Sequence, residues 1–322
     1  MREGKFRAGD AVLVRSAEEI LSTLDADGTL DGLPFMPEML DACGKPFHVQ
    51  RRVEKTCVDG HSHRRFVADD VVILDGPRCD GSGHDGCKHG CRIFWKEAWL
   101  RPAEGAPRAT PSPDGLAALR SRLRVKADAE RYFCQSTELL RATGAFEGTR
   151  RLLTFRIALR EIRKGDLPVG AFLKLLVRWI AQKRRRAAGE DDLLRGTLKR
   201  TPNQVLGLVP GDRVRVKPRA EIVKTLNSDH RNRGLVICTE MTRCCGKEAE
   251  VRSRVDRLID ERTGIMREIS DTVTLQNVGG DRALAEECLC KGQLGDCPRG
   301  EIMYWREIWL ERVPAETESA GR

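Results

Sequence analysis

The stretch GDAVLVRSAEEILSTL (residues 9–24) returns, changed but recognisable, as GDRVRVKPRAEIVKTL (residues 211–226). At one constant offset Gly9, Asp10, Val12, Val14, Glu19, Ile20, Thr23 and Leu24 all recur. So do Glu38-Met39 as Glu240-Met241, Cys43-Gly44-Lys45 as Cys245-Gly246-Lys247, and Val49 and Val53 as Val251 and Val255. A few inserted residues later, FWKEAWL (94–100) meets YWREIWL (304–310). An ordered set of matches of this length reads as a duplicated module, and internal repeats decide architecture before local propensity does.

Within each copy, AVLVR and RVRVK have the apolar–polar alternation of a half-buried strand, and AEEILSTL and AEIVKTL then switch to helical spacing. DDVVILD and DTVTLQN read as further strands, and FWKEAWLR and YWREIWLE as the closing strand. The opening Gly-Asp-x-Val-x-Val resembles the first strand of small SH3-like barrels, including the KOW type. The fold class expected is therefore α+β: two duplicated small SH3-like β-barrel modules, each metal-stabilised, separated by a basic α-helical segment. The boundaries expected are a first module at 1–102, a Pro/Ala-rich linker at 103–114, a basic helical domain at 115–187, a second linker at 188–208, a second module at 209–314 and a tail at 315–322.

Composition sets the setting. The chain has 322 residues, 40% hydrophobic and 33% charged, with a formal net charge of +9. Its start carries no apolar leader, and its most apolar run, VGAFLKLLVRWIAQ, is interrupted by Lys174 and Arg178, so no membrane span and a cytoplasmic setting are expected. In a reducing compartment dense cysteines point to metal rather than to disulfides. Of the 12 cysteines all but Cys134 lie in residues 43–91 or 238–297. Cys134 itself, with no histidine nearby in sequence, reads as a buried helical cysteine rather than a nucleophile.

In RCDGSGHDGCKHGCRIF (78–94), Cys79, His84, Cys87 and Cys91 have the short spacings that let one loop wrap a tetrahedral ion, and the interleaved glycines permit the turns. The second copy offers Cys245, Cys288, Cys290 and Cys297. Cys43 maps onto Cys245, Cys87 onto Cys297, and Cys79 within one residue of Cys288. The ligand set expected is a shared three-cysteine core that includes distant Cys43 or Cys245. It is completed by Cys91 or His84 in the first module and by Cys290 in the second. Zn2+ at two sites is the cofactor expected. CDGSGH (79–84) also resembles the CDGSH iron–sulfur motif, in which three cysteines and that histidine hold a [2Fe–2S] cluster. Here a glycine is inserted before His84 and no Cys-x-Cys precedes it. An iron–sulfur cluster, and with it a metalloenzyme or redox protein, is the alternative.

Charge concentrates between the modules, where residues 115–200 hold 21 Lys and Arg against 9 Asp and Glu. The cluster Lys183-Arg184-Arg185-Arg186 suits either a helix C-terminus, through the dipole, or a polyanion. Trp95 and Trp99, and Trp305 and Trp309, are spaced i, i+4. They read as a hydrophobic plug, or as an aromatic platform for bases or a peptide. Glu97 and Glu307 between them read as surface salt-bridging groups. The function expected is a metal-binding tandem-module binding or scaffold protein, with nucleic acid or a protein as partner.

Overall fold

The computed structural model describes residues 6–53, 55–58, 64–104, 112–145, 158–163, 167–187, 194–280, 299–300 and 302–314. The fold is mixed, with many antiparallel strands and few helices. The chain divides into two compact units. Unit 1 comprises Met1–Trp179, Arg257–Arg267 and Gly292–Arg299, and unit 2 the remainder.

Unit 1 contains β1 (Ala11–Val14), β2 (Thr29–Leu30), β3 (Leu33–Pro34), β4 (Pro46–Arg52), β5 (Arg64–Phe66), β6 (Val71–Leu74), β7 (Trp95–Lys96), β8 (Leu100–Pro102) and β9 (Thr143–Ala145). Its helices are α1 (Ala17–Leu21), α2 (Pro113–Arg122), α3 (Gln135–Ala142) and α4 (158–163); α5 spans Val169–Ala187. Unit 2 contains β10 (Arg213–Val216), α6 (Arg219–Val223), β11 (Arg231–Asn232), β12 (Leu235–Val236) and β13 (Glu248–Arg254). After the hairpin of β14 (Arg257–Ile259) and β15 (Met266–Glu268) come β16 (Thr272–Gln276), β17 (Tyr304–Arg306) and β18 (Leu310–Arg312).

Each unit is built on a five-stranded antiparallel sheet, ordered β7-β6-β4-β1-β8 in one and β17-β16-β13-β10-β18 in the other. Ala11 faces His48 where Arg213 faces Glu250, and Val72 faces Trp95 where Val273 faces Trp305. An irregularity in register falls at Val49/Arg51 and again at Val251/Ser253. No closed barrel forms among the described residues, because β7 and β8, or β17 and β18, remain edges. The reason lies in the closing segment. The expected single strand is two short ones separated by a 3-10 turn, Glu97–Trp99 in unit 1 and Glu307–Trp309 in unit 2, which carries the chain from one edge to the other.

That turn also sets the fate of the tryptophans. Trp95, Trp99, Trp305 and Trp309 are each 0% exposed, so none offers a face to a base or peptide, and the aromatic-platform reading is corrected to a plug. Trp99 donates its indole N–H to Thr23 Oγ1 at 3.1 Å, and Trp309 to Thr225 Oγ1 at 3.0 Å, which satisfies a group that burial would otherwise orphan. In unit 1 Phe35 meets Trp99 edge-on at 5.2 Å.

The segment expected as a separate helical domain is divided differently. Ser112 caps α2, its hydroxyl accepting from Gly115 N at 3.1 Å. The helix stops at Arg122, and residues 124–133 are not helical. Leu119, Leu139 and Ala142 join the same buried cluster as Val12, Ile20 and Trp99, and β9 pairs with β5. Residues 113–145 are thus built into the first unit's core. No described helix is long and apolar enough to cross a membrane.

Candidate metal centre

The loop between β6 and β7 is tied at its neck by Cys79 N donating to Cys91 O at 2.9 Å and Arg78 Nη1 to Gly90 O at 2.9 Å. Inside it, His84 N and Gly86 N both donate to Gly81 O, at 2.9 and 3.0 Å. Gly81 has a φ of +73°, and a Cβ there would lie 2.0 Å from the Cys87 carbonyl oxygen, so only glycine closes this turn. Lys88 N donates to Arg257 O at 2.9 Å, which binds the loop to β14 within unit 1.

The loop encloses a cavity of about 20 Å³, lined by Cys79, Cys87 and Cys91 with His84 and His89, and closed by Cys134 from the start of α3. That volume holds about one water-sized particle. Burial pushes the thiols of Cys79, Cys87 and Cys134 up, the last to about 12. Burial acts on Cys91 in the same direction, but the His89 imidazole, the Arg299 guanidinium and the Ser136 hydroxyl together hold it down at about 6. One thiolate among three neutral thiols is the result at neutral pH. The Ile259 N–H donates to Cys87 Sγ at 3.4 Å, and Cys91 Sγ lies 3.2 Å from Ser136 Oγ. The ligating atoms of Cys91, His89 and Glu261 all lie within 4.8 Å of one another, and Glu261 is paired with Arg299.

His84 does not serve as the expected ligand. It is 1% exposed, with Nδ1 2.6 Å from Glu38 Oε1 and Nε2 3.1 Å from the Phe133 carbonyl oxygen. A carbonyl only accepts, so Nε2 carries a proton, and the carboxylate holds the other. No ring lone pair is left for a metal. Burial alone would lower His84 and raise Glu38, but their mutual hydrogen bond and charge reverse both, so His84 is raised and Glu38 lowered. The stabilisation from this pair is complete between the ordinary values of 4.5 and 6.5. It is lost as pH falls through the lowered Glu38 value or rises through the raised His84 value. Glu38→Gln is expected to cost about 3 kcal/mol at pH 6, because a buried imidazolium loses its counter-charge. Denaturant titrations across pH should show the gap to wild type narrowing at both ends, and a gap that does not vary with pH would count against the ion pair.

Cys43 is placed elsewhere as well. It is 1% exposed within the apolar core of unit 1, its thiol pushed up to about 12 by burial, and it does not line the cavity. Its counterpart Cys245 ends a 3-10 turn with φ −55° and ψ 131°, against −54° and 131° for Cys43, so the turn recurs although the expected ligation by Cys43 does not. In unit 2, Cys238 and Cys245 neighbour buried Cys244, whose thiol burial pushes up to about 11. Cys288, Cys290 and Cys297 lie outside the described residues. None of the described cysteines forms a disulfide. Of the basic cluster at the end of α5, Arg184 is exposed, and the side chains of Lys183, Arg185 and Arg186 lie outside the described set.

Two members of the site escape spacing rules: Cys134 and Glu261. Cys134 is remote in sequence and announced only by the helix start that follows it, and Glu261 sits on the tip of the β14–β15 hairpin. His89 lies within the loop itself and is a candidate by spacing, though the expected ligand set leaves it out. Compared with known proteins, the chain matches no family model, no curated protein and no solved structure.

Proposed function

We propose that the chain is a metal-stabilised binding or scaffold protein in which Cys79, Cys87, Cys91 and Cys134 hold a structural zinc ion. The convergence of four cysteines on a cavity of about 20 Å³ carries this reading. A tetrahedral thiolate site accepts zinc at about 2.3 Å per bond and leaves no open coordination position, which favours a structural over a catalytic role. A dication converts the raised thiols to thiolates, and the Ile259 N–H and Ser136 hydroxyl then serve as donors to the sulfurs. The commitment of His84 to Glu38 and Phe133 argues against the cluster ligation that CDGSGH resembles. Matching strand order, register and Trp–Thr bonds support the further proposal that the two sheets are copies of one SH3-like module, the second with its own zinc near Cys245.

Metal analysis of anaerobically purified protein, with its visible spectrum, tests this. Zinc without colour, falling by one ion per chain in Cys87→Ser, is expected. Iron with acid-labile sulfide and visible absorption would replace the reading with the redox one.

A further inference from the structure

Unit 2 carries a feature that its counterpart in unit 1 lacks. The turns Asp31-Gly32 (between β2 and β3) and Arg233-Gly234 (between β11 and β12) are equivalent two-residue hairpin turns, with φ of 50° and 75° in the first and 45° and 84° in the second. Positive φ at both positions defines the type I′ turn, which favours Asp-Gly or Asn-Gly. Unit 1 follows that preference, and Asp31 accepts from Lys96 Nζ at 2.7 Å. Unit 2 instead places an arginine in the left-handed conformation, against its steric preference.

Arg233 faces an open groove of about 730 Å³ lined by Lys199, Arg200, Thr201, Pro202, Asn203 and Arg233 itself. The strap that supplies the other cations has no regular secondary structure but is fastened on both sides of them. Leu198 N donates to Leu226 O at 3.1 Å, Arg233 N to Thr201 Oγ1 at 2.9 Å, and Asn232 Nδ2 to Pro202 O at 3.0 Å. Lys199 and Arg200, both exposed, are therefore held on an ordered backbone, which lowers the entropic cost of engaging a ligand. The carboxylate of Asp271 adjoins the groove. It accepts from Arg233 Nη1 and Asn203 Nδ2, each at 2.9 Å, and so orients both donors while leaving a cationic excess.

We propose that this groove binds the phosphodiester backbone of nucleic acid, with Lys199, Arg200 and Arg233 as phosphate contacts and Thr201 and Asn203 as neutral donors. Three cations along an open rim suit successive phosphates better than one enclosed anion, and the absence of any aromatic among the lining residues fits backbone contact rather than base stacking. The proposal is independent of whether the cysteine cluster of unit 1 holds metal.

Anisotropy titrations of a labelled oligo-dT against the full chain, repeated over a range of salt, test it. Lys199→Glu with Arg200→Glu is expected to weaken binding at least about ten-fold and to flatten the slope of log K against log salt by about two. Arg233→Asn keeps a residue that accepts the left-handed conformation, so it should fold as wild type and flatten the slope by about one. Thermal melts confirm folding of each variant. Wild-type affinity and slope in both variants would overturn the assignment, and so would binding of pyrophosphate without any binding of the oligonucleotide.

Discussion

Replacing Cys134 with serine is expected to release the zinc ion proposed for unit 1 and to lower its unfolding free energy by about 4 kcal/mol or more. The size follows from metal binding acting as folding energy, which reaches ~10–16 kcal/mol in zinc-finger peptides, so losing one of four ligands removes a substantial part. The substitution discriminates because of where Cys134 sits. It is the N-cap of α3, a position at which serine is preferred and cysteine is not. A merely structural Cys134 would lose roughly 1–3 kcal/mol from burying a hydroxyl and recover about 1 kcal/mol through the better cap. The metal reading and the packing reading therefore differ in size, and above all in zinc content, for one oxygen-for-sulfur exchange. Zinc stoichiometry and denaturant unfolding, measured on the same samples, separate them. Unchanged zinc content would remove Cys134 from the ligand set.

What sequence could show here, and what it could not, divides along a physical line. Strand positions were legible where alternation marks them, as in β10, whose buried Val214 and Val216 alternate with exposed Arg213 and Arg215. The repeat was legible because Val12, Val14 and Trp99 are buried in the core of unit 1 as Val214, Val216 and Trp309 are in that of unit 2. The turn chemistry at Gly81 was legible in kind, since short ligand spacings demand glycine. His84 was misread because ligand spacing reports where a side chain starts. The Glu38 carboxylate that captures it arrives from a separate 3-10 turn, Pro37–Ala42. The i, i+4 tryptophans fit a strand or a helix equally, and the structure places the first of each pair in a strand and the second in a 3-10 turn, with both buried. Cys134 was read as a packing residue because the helix it begins was taken to run through it. Residues brought together by tertiary packing leave no spacing signature, and Met36, Cys134 and Ile259 line the cavity in that way.

Glu307 and Glu97 show the same principle within the repeat. Both occupy the position between paired tryptophans, and the expectation of surface salt-bridging groups is corrected in each. The Glu307 side chain is 0% exposed and that of Glu97 is 18%. Glu307 Oε2 accepts from Leu206 N and from Gly207 N at 2.9 Å, while Oε1 accepts from Leu208 N at 3.2 Å and Arg254 Nη1 at 2.8 Å. Every contact is a donor, so glutamine in either amide orientation turns an NH2 toward two donors. Glu307→Gln is expected to cost about 3–5 kcal/mol, from two orphaned donors at roughly 1–3 kcal/mol each and a weakened ion pair. In Glu97 a single oxygen, Oε1, accepts from Phe6 N at 2.7 Å and from Arg52. Glutamine keeps that oxygen, and Arg52 retains the carbonyls of Phe6 and Asp69 at 2.7 and 2.8 Å. Glu97→Gln should therefore cost about 1 kcal/mol. Because Glu307 fastens the far end of the strap that carries Lys199 and Arg200, its substitution should also weaken oligonucleotide binding, whereas Glu97→Gln should leave binding unchanged. Denaturant unfolding and anisotropy on the two variants make the comparison. Equal costs in both would mean that the glutamate acts through its arginine alone, and that the strap is held by its other anchors at Leu198 and Pro202.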